Sequence, residues 1–178
     1  MEDRPWSEVS IAEVSKRAGL TRTAFYKHFA DRRALLLALF EELSEQLAGA
    51  RDSWQSGDGD GDASPVELLR EAVTQLVEVF RIHGRLLQAV AEEAAQDRTV
   101  AEVYAQLGAR LSAGVADRIE RDVAAGHSTV ADPAEVATVL VWTNERYLRV
   151  RFGRHPIGDP ARVAAALGEV WVRAIYGI

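Results

Sequence analysis

The sequence predicts an all-α protein, and three observations support this. Five prolines in 178 residues leave the interior of the chain almost free of helix breakers. Runs of β-branched residues, which favour strands, are few. Ser, Thr and Asp residues repeatedly precede segments in which apolar residues return every three or four positions. We therefore expect three N-terminal helices followed by a helical bundle.

The first three helices are predicted from their N-terminal caps. Ser10 and Glu13 have the spacing of a capping box, and Gly19 is placed to end the helix that follows. Thr21 is a cap for a second, short helix, and Asp31 is a cap for a longer one. The apolar positions of the longer helix follow helical spacing: Leu36, Phe40, Leu43 and Leu47.

Further amphipathic helices are predicted after residue 64. Their apolar positions are Leu69, Val73, Leu76 and Phe80 in one, Leu86, Leu87 and Val90 in a shorter one, and Val100, Tyr104, Leu107, Leu111 and Val115 in a long one. Asp132-Pro133 begins a helix that runs to about Val150, and Asp159-Pro160 begins the last.

The polar segment Ser56–Asp62 alternates glycine and aspartate and is predicted to be a flexible linker or loop. Two domains are predicted, a helix-turn-helix DNA-binding domain at 1–48 and a helical ligand-binding and dimerisation domain at 49–178. The aspartates of the polar segment suggest a calcium loop, but Ala63 stands where that loop needs glycine and Leu69 where it needs glutamate. We therefore expect no calcium site.

Composition excludes several classes of protein. Hydrophobic residues make up 48% of the chain and charged residues 27%, which is typical of a globular protein. No apolar run approaches the roughly 20 residues that a membrane span requires, and the N-terminus has no signal-peptide core. A cytoplasmic location is therefore expected. The absence of cysteine excludes disulfides and thiolate catalysis, and none of the four histidines has metal-ligand spacing. No nucleophile motif, phosphate loop or acid pair indicates an enzyme, and no cofactor or metal is expected.

The charge distribution favours a nucleic-acid contact near the N-terminus. The whole chain carries −6, whereas residues 1–35 hold seven basic and five acidic side chains, or +2. Two helices joined by Gly19-Leu20-Thr21 match a helix-turn-helix, whose second helix enters the major groove. The outer face of that helix carries Arg22, Thr23, Tyr26, Lys27 and His28.

The segment Ser10–Phe40, with Ala18-Gly19-Leu20, Phe25-Tyr26, Phe29 and a leucine-rich helix, resembles the signature of the TetR family of transcriptional regulators. The resemblance implies that Thr21, Arg22 and Thr23 approach DNA bases and that Tyr26, His28 and Arg32 contact the DNA backbone. Tyr26 could instead be a partly buried spacer, whereas Phe25 and Phe29 are expected in the core.

The family has a full helix before the one that begins after Ser10, and only nine residues precede Ser10 here. The first helix is therefore expected to be missing, and the helix bearing Leu36 and Phe40 is expected to expose apolar surface.

From Asn144-Glu145-Arg146 to the segment Trp171–Gly177, the chain resembles the ethionamide-resistance regulator branch of that family. The branch binds elongated apolar molecules within its helical domain, which implies a small apolar effector. Val141 stands where that branch commonly has a second amide. The implied ligand-binding positions are Leu69, Leu76, Phe80, Tyr104, Leu107, Leu111, Val141, Asn144 and Trp171.

The residues themselves support part of this site. Asn144 shares a helix face with Ala137, Leu140 and Leu148, and an amide in apolar surroundings needs a hydrogen-bond partner. That partner could be a ligand or a neighbouring backbone group, and the aromatic positions could equally be plain core.

The sequence predicts a ligand-responsive repressor that a small apolar effector releases from double-stranded operator DNA. It is expected to be a homodimer through its last two helices, where Ala164, Ala165, Ala166 and Gly168 allow close approach and Thr143, Arg146 and Arg149 are expected to be exposed. The alternative is a helical small-molecule binding protein that has lost DNA binding through N-terminal truncation.

Overall fold

A computed structural model describes residues 5–56, 63–153 and 155–178. These residues form a short 3₁₀ turn at Trp6–Glu8 and helices but no strand, which confirms the all-α fold. The predicted loop and the calcium question fall on residues 57–62, outside the described ranges. The helices are α1 (Ile11–Arg17), α2 (Arg22–His28), α3 (Arg32–Gly49), α4 (Asp52–Ser56), α5 (Pro65–Ala94), α6 (Arg98–Ala124), α7 (Pro133–Phe152) and α8 (Pro160–Tyr176).

The three predicted N-terminal caps are confirmed. The Ser10 hydroxyl accepts from the Glu13 backbone N–H at 3.2 Å, and the Glu13 carboxylate accepts from the Ser10 N–H at 3.0 Å. Thr21 Oγ1 accepts from the Ala24 N–H at 3.1 Å, and Asp31 Oδ1 accepts from the N–H three residues on at 2.7 Å. Each cap satisfies a backbone donor that a helix N-terminus leaves without an intrahelical partner.

Helix α5 corrects one prediction, because the segments carrying Phe80 and Leu87 belong to one 30-residue helix rather than two. The helix continues through Gly84, whose missing side chain allows the backbone to approach α7. A Cβ at Gly84 would lie 2.1 Å from the Phe152 carbonyl oxygen. Glycine here therefore permits close packing of two helices and does not break the helix.

Helix α5 is the central helix of the bundle and packs against α3, α4, α6, α7 and α8. One apolar cluster runs through all of these elements and includes Trp6 and Val9 from the N-terminal turn. Leu36 and Phe40 are 0% and 1% exposed, so the expectation that α3 exposes its apolar face was wrong. None of the helices in the described part of the chain combines the length and apolar character of a membrane span.

The short helix α4, which the sequence patterns did not predict, is attached to the bundle by a buried polar network. Arg118 Nε donates to both carboxylate oxygens of Asp122, at 3.1 and 3.0 Å, and its Nη1 donates to the Trp54 carbonyl. Tyr176 donates to Asp122 at 2.8 Å and accepts from the Trp54 indole at 3.1 Å. The network joins α4, α6 and α8 at the end of the bundle where α3 finishes.

Candidate DNA-binding surface and ligand cavity

The turn between α1 and α2 has the geometry of a helix-turn-helix. Ala18 is the C-terminal cap of α1, and Gly19 follows with a φ of 67°, a left-handed conformation that glycine adopts without strain. The Leu20 N–H then donates to the Ser15 carbonyl at 2.8 Å, which closes the turn. Thr21 follows at once as the cap of α2, so the two helices are connected by only a few residues.

Helix α2 has a buried side and an exposed side. Phe25 is buried and packs against Phe29, whose ring centroid lies 5.5 Å away, whereas Phe29 itself is half-buried. In contrast to these two phenylalanines, the predicted DNA contacts on the helix are exposed. Tyr26 is 56% exposed, which disfavours its interpretation as a partly buried spacer. We call this exposed set the DNA-reading face: Arg22, Thr23, Tyr26, Lys27 and His28.

Two arginines at the start of α3 are positioned by the protein itself. Arg32 Nη1 donates to the carbonyls of Trp6, Ser7 and Val9 at 3.1, 2.7 and 3.4 Å, and its guanidinium lies over the Trp6 ring. Arg33 Nη1 lies 2.9 Å from Asp97 Oδ2, at the beginning of α6. Arg32 therefore holds the N-terminal turn against α3, and Arg33 connects the helix-turn-helix segment to the bundle.

A cavity lies between α5, α6 and α7. Its wall is completed by the C-terminal end of α3 and by one residue of α8. All but one of the predicted ligand-binding residues line it: Leu76, Phe80, Tyr104, Leu107, Leu111, Val141, Asn144 and Trp171. Leu69 does not, because its side chain is buried elsewhere in the apolar cluster. The wall also contains residues that sequence reasoning missed: Leu47, Arg51, Leu87, Gly108, Trp142 and Glu145.

The cavity is narrow. Its volume is about 50 Å³. Trp142 contributes to this narrowness, because its ring packs directly against Gly108. A Cβ at Gly108 would lie only 2.4 Å from the Trp142 ring. A ligand of drug-like size would therefore have to move the surrounding side chains or helices.

Polar groups in the cavity wall are few, and they differ in their partners. Tyr104 donates to Glu145 Oε1, which also accepts from Arg149 Nε at 2.6 Å. Burial, together with the Glu145 charge, raises the pKa of the Tyr104 phenol, so the phenol stays protonated and remains a donor. Asn144 Nδ2 and Trp171 Nε1, in contrast, are buried donors without an acceptor.

The residues predicted to form the dimer interface on α7 and α8 are only partly exposed. Ala165 and Ala166 are exposed, but Ala164 is buried, and Gly168 faces Arg70 of α5. Arg149 is half-buried in its ion pair, so the expectation that it is exposed was wrong. The outer side of the two helices is partly apolar, with side chains between 36% and 55% exposed at Val139, Trp142, Tyr147, Val150 and Val170.

Comparison with known proteins agrees with this arrangement. Residues 1–39 match the family model for bacterial regulatory proteins of the tetR family, and residues 69–177 match the model for the C-terminal domain of the transcriptional regulator EthR. The chain belongs to the TetR family. It is a helix-turn-helix transcriptional regulator with an EthR-type C-terminal domain, as the sequence resemblance indicated.

Individual relatives extend the comparison over the whole chain. The HTH-type transcriptional regulator EthR of Mycobacterium tuberculosis (strain H37Rv) is 33% identical over 99% of this chain and 82% of its own length. EthR of Mycolicibacterium smegmatis is 27% identical over 99% and 81%. The crystal structure of the TetR-family regulator PfmR from Thermus thermophilus superposes with a TM-score of 0.76 at 16% identity, over 94% of this chain and 90% of its own, which supports the fold.

Proposed function

We propose that this TetR-family regulator is a homodimeric repressor that a small apolar effector releases from its operator. The interhelical cavity is the effector site, and the DNA-reading face on α2 enters the major groove. Thr21, Arg22 and Thr23 approach bases, while Tyr26, Lys27, His28 and Arg32 contact phosphates. No residue has a catalytic role in this proposal, and the dimer acts in the cytoplasm without a cofactor.

One observation supports the switch above all others: α3 connects the two sites. Its N-terminal end follows α2 directly, through the Asp31 cap, and its C-terminal turn carries Leu47 in the cavity wall. Because the cavity is narrow, an effector that enters must displace this wall. The displacement changes the position of α3 and hence the spacing of the two DNA-reading faces in a dimer.

The energy that this coupling requires is small. A tenfold to hundredfold loss of operator affinity corresponds to about 1.4–3 kcal/mol of preferential effector binding to the released conformation. Burial of an apolar chain yields about 25 cal/mol per Å², so a few new apolar contacts in one conformation are sufficient. The Arg33–Asp97 ion pair provides a second connection between α3 and the bundle, at the beginning of the helix that carries Tyr104 and Leu107.

The proposal is tested by operator affinity with and without an apolar effector, in the wild type and two variants. Leu107→Trp places an indole in the cavity and should imitate the effector or abolish its effect. Ile82→Trp, at a 58% exposed position of α5, is the matched control and should respond like the wild type. Equal responses of all three proteins would show that the switch does not act through the cavity. Effector binding by a chain without operator affinity would favour the alternative, a binding protein that does not read DNA.

The dimer is proposed because one short helix contacts too few base pairs, and a second copy supplies the second half-site. The exposed apolar positions Val139, Val150 and Val170 on α7 and α8 are suited to pack against a second copy. Light scattering at micromolar concentration should give the mass of a dimer. Val170→Glu should shift the protein toward monomer and weaken operator binding, whereas Ile82→Glu should do neither. A monomeric wild type would overturn the dimer.

A further inference from the structure

Trp142 is the most exposed residue of the cavity wall. It is 36% exposed and lies outside the shared apolar cluster. Leu76, Phe80 and Trp171 of the same wall are 6%, 4% and 1% exposed and belong to that cluster. A side chain in a close-packed interior has little space into which it can move. Trp142, in contrast, can move toward solvent without disturbing the cluster.

The Trp142 ring packs on two residues of α6 that also line the cavity. A Cβ at Gly108 would lie 2.4, 2.8 and 3.1 Å from the ring atoms Cζ2, Cη2 and Cε2, so a larger residue at that position would force the ring to shift. The ring also meets the Tyr104 ring edge-on, with the two centroids 5.9 Å apart. Since Gly108 and Tyr104 both line the cavity, one side chain reaches from the cavity wall to the protein surface.

The neighbouring aromatic side chain, Tyr104, is held more firmly than Trp142. Its hydroxyl donates to Glu145 Oε1, which also accepts from Arg149 Nε at 2.6 Å. Its ring packs against Phe40 of α3 as well, with a centroid separation of 5.9 Å. Moving the tyrosine would therefore break a hydrogen bond as well as ring contacts, whereas the contacts described for the tryptophan ring are packing contacts. Of the two rings, Trp142 is the one that a ligand displaces more readily.

From these observations we propose that Trp142 is a gate that determines which effectors bind. The effector displaces the indole toward solvent and takes its place against Gly108 and Tyr104. This deepens the proposed function and depends on the same cavity. With the ring in its present position the cavity measures about 50 Å³, far below the roughly 300 Å³ of a small-molecule site. Displacement of one large, partly exposed ring adds volume without opening the core.

Trp142 also supplies the signal for a first test. The other tryptophans, Trp6, Trp54 and Trp171, are 4%, 0% and 1% exposed, so acrylamide should quench chiefly the emission of Trp142 in the folded full-length chain. Decanol, a neutral apolar probe, should increase this quenching by up to about threefold, as the ring moves from 36% exposure toward full exposure. Trp142→Phe should lose most of the quenching, with and without decanol. Unchanged or reduced quenching of the wild type, at decanol concentrations that saturate binding in calorimetry, would overturn the proposal.

Gly108→Ala tests the same movement without a ligand. The new Cβ collides with the ring, so the ring should move outward and acrylamide quenching should rise in the free protein. The double variant Gly108→Ala/Trp142→Ala should bind decanol like Trp142→Ala, because the collision no longer exists. Gly168→Ala is the matched control, since a Cβ there meets Arg70 side-chain atoms at 3.7 Å, an ordinary contact distance, and quenching should not change. Quenching in Gly108→Ala that equals the wild-type value or falls below it would contradict an outward movement of the ring.

The rate of decanol association measures the gate directly. If the displaced ring is a minor state of about 0.1–10%, it lowers the apparent affinity by the same factor, so Trp142→Ala should bind decanol about tenfold or more faster and tighter. Trp142→Phe keeps a smaller ring and should be intermediate. Trp171, in the cavity wall of every variant, reports binding in stopped-flow fluorescence. A wild-type association rate in Trp142→Ala would overturn the proposal.

The mass of each variant separates the gate from the subunit interface. Light scattering should give the same mass for the wild type and all Trp142 variants, because the ring packs on α6 and the proposed dimer surface combines α7 with α8. A smaller mass for Trp142→Ala would place the tryptophan in the dimer interface and contradict its role as a gate.

Leu107→Trp and operator affinity distinguish this inference from the proposed function. If Leu107→Trp abolishes decanol binding while Trp142→Ala binds decanol like the wild type, the effector cavity stands and the gate is wrong. If Trp142→Ala binds decanol faster and more tightly, but decanol does not change operator affinity in any of the proteins, the gate is correct and the proposed switch is wrong.

Discussion

The helix-turn-helix segment and the helical bundle are stabilised in different ways. In the bundle, long helices bury apolar residues in one shared cluster, and Leu148, Val115 and Ile119 are 0% exposed. In the segment of α1 and α2, Phe25 is buried but packs locally with its aromatic neighbours and lies outside the shared cluster. Caps at Ser10 and Thr21 satisfy the N-termini of both helices, and the partly buried Val14 of α1 packs against the shared cluster.

This difference has a functional meaning. A segment that makes few contacts with the bundle can change its orientation without loss of the common core, and elements that move in allostery are drawn from such regions. In the proposed switch, the long helix α3 and the Arg33–Asp97 pair are the connections through which a change at the cavity reaches the DNA-reading face. Substitutions should therefore separate into those that unfold the protein and those that change DNA binding alone.

The largest expected effect comes from the bundle. Leu148→Ala removes a fully buried side chain from α7 and should lower the free energy of unfolding by about 2–5 kcal/mol, measured by urea denaturation. The matched control is Ile82→Ala at an exposed position of α5, which should change that free energy by less than about 0.5 kcal/mol. A similar loss for both variants would mean that burial in the bundle does not dominate stability.

An intermediate effect is expected for Arg32, which lies where the two regions meet. Arg32→Ala removes three hydrogen bonds to the N-terminal turn and one charge near the DNA. It should weaken operator binding, lower the slope of log affinity against log salt by about 0.9, and leave sequence preference unchanged. The melting temperature should also fall, because the turn that holds Trp6 in the cluster loses its anchor.

Lys27→Ala is the matched control for Arg32, because Lys27 is an exposed cation on α2 that takes no part in the Arg32 contacts with the turn. It should lower the salt slope by a similar amount without any change in melting temperature. If Arg32→Ala lowers the melting temperature alone, the arginine positions the turn and does not contact phosphate.

The caps could be predicted from the sequence because each one acts within three residues of its own position, as in Ser10 with Glu13. Helical periodicity likewise places Tyr104, Leu107 and Leu111 on one apolar face of α6, which is local information. That this face lines a cavity was implied by the family resemblance and not by the periodicity.

Other features depend on contacts between distant segments. Arg51 could not be assigned to a cavity wall because arginines are usually exposed, whereas this one is 3% exposed and shares the wall with residues of α5, α6 and α7. Trp142 precedes Asn144 by two residues, so helical spacing places it on a different face, and it reaches the cavity because Gly108 leaves space for its ring. The burial of Leu36 could not be predicted either, because it lies in the shared cluster where α3 packs against the distant helix α5.

The smallest expected effect on stability, and a specific one, concerns the cap of the recognition helix. Thr21 Oγ1 accepts from the Ala24 N–H, and α2 has only seven residues, so one cap is a large part of its local stability. Thr21→Ala should cost about 1 kcal/mol locally and leave urea denaturation of the bundle nearly unchanged. Amide exchange should become faster in residues 22–28 and not in α5, and operator affinity should fall about fivefold, in line with that cost. Thr21→Ser keeps the capping oxygen and should restore both exchange and affinity. If Thr21→Ser binds operator as weakly as Thr21→Ala while its amide exchange is normal, the threonine methyl contacts DNA directly, and the residue acts as a base contact in addition to a cap.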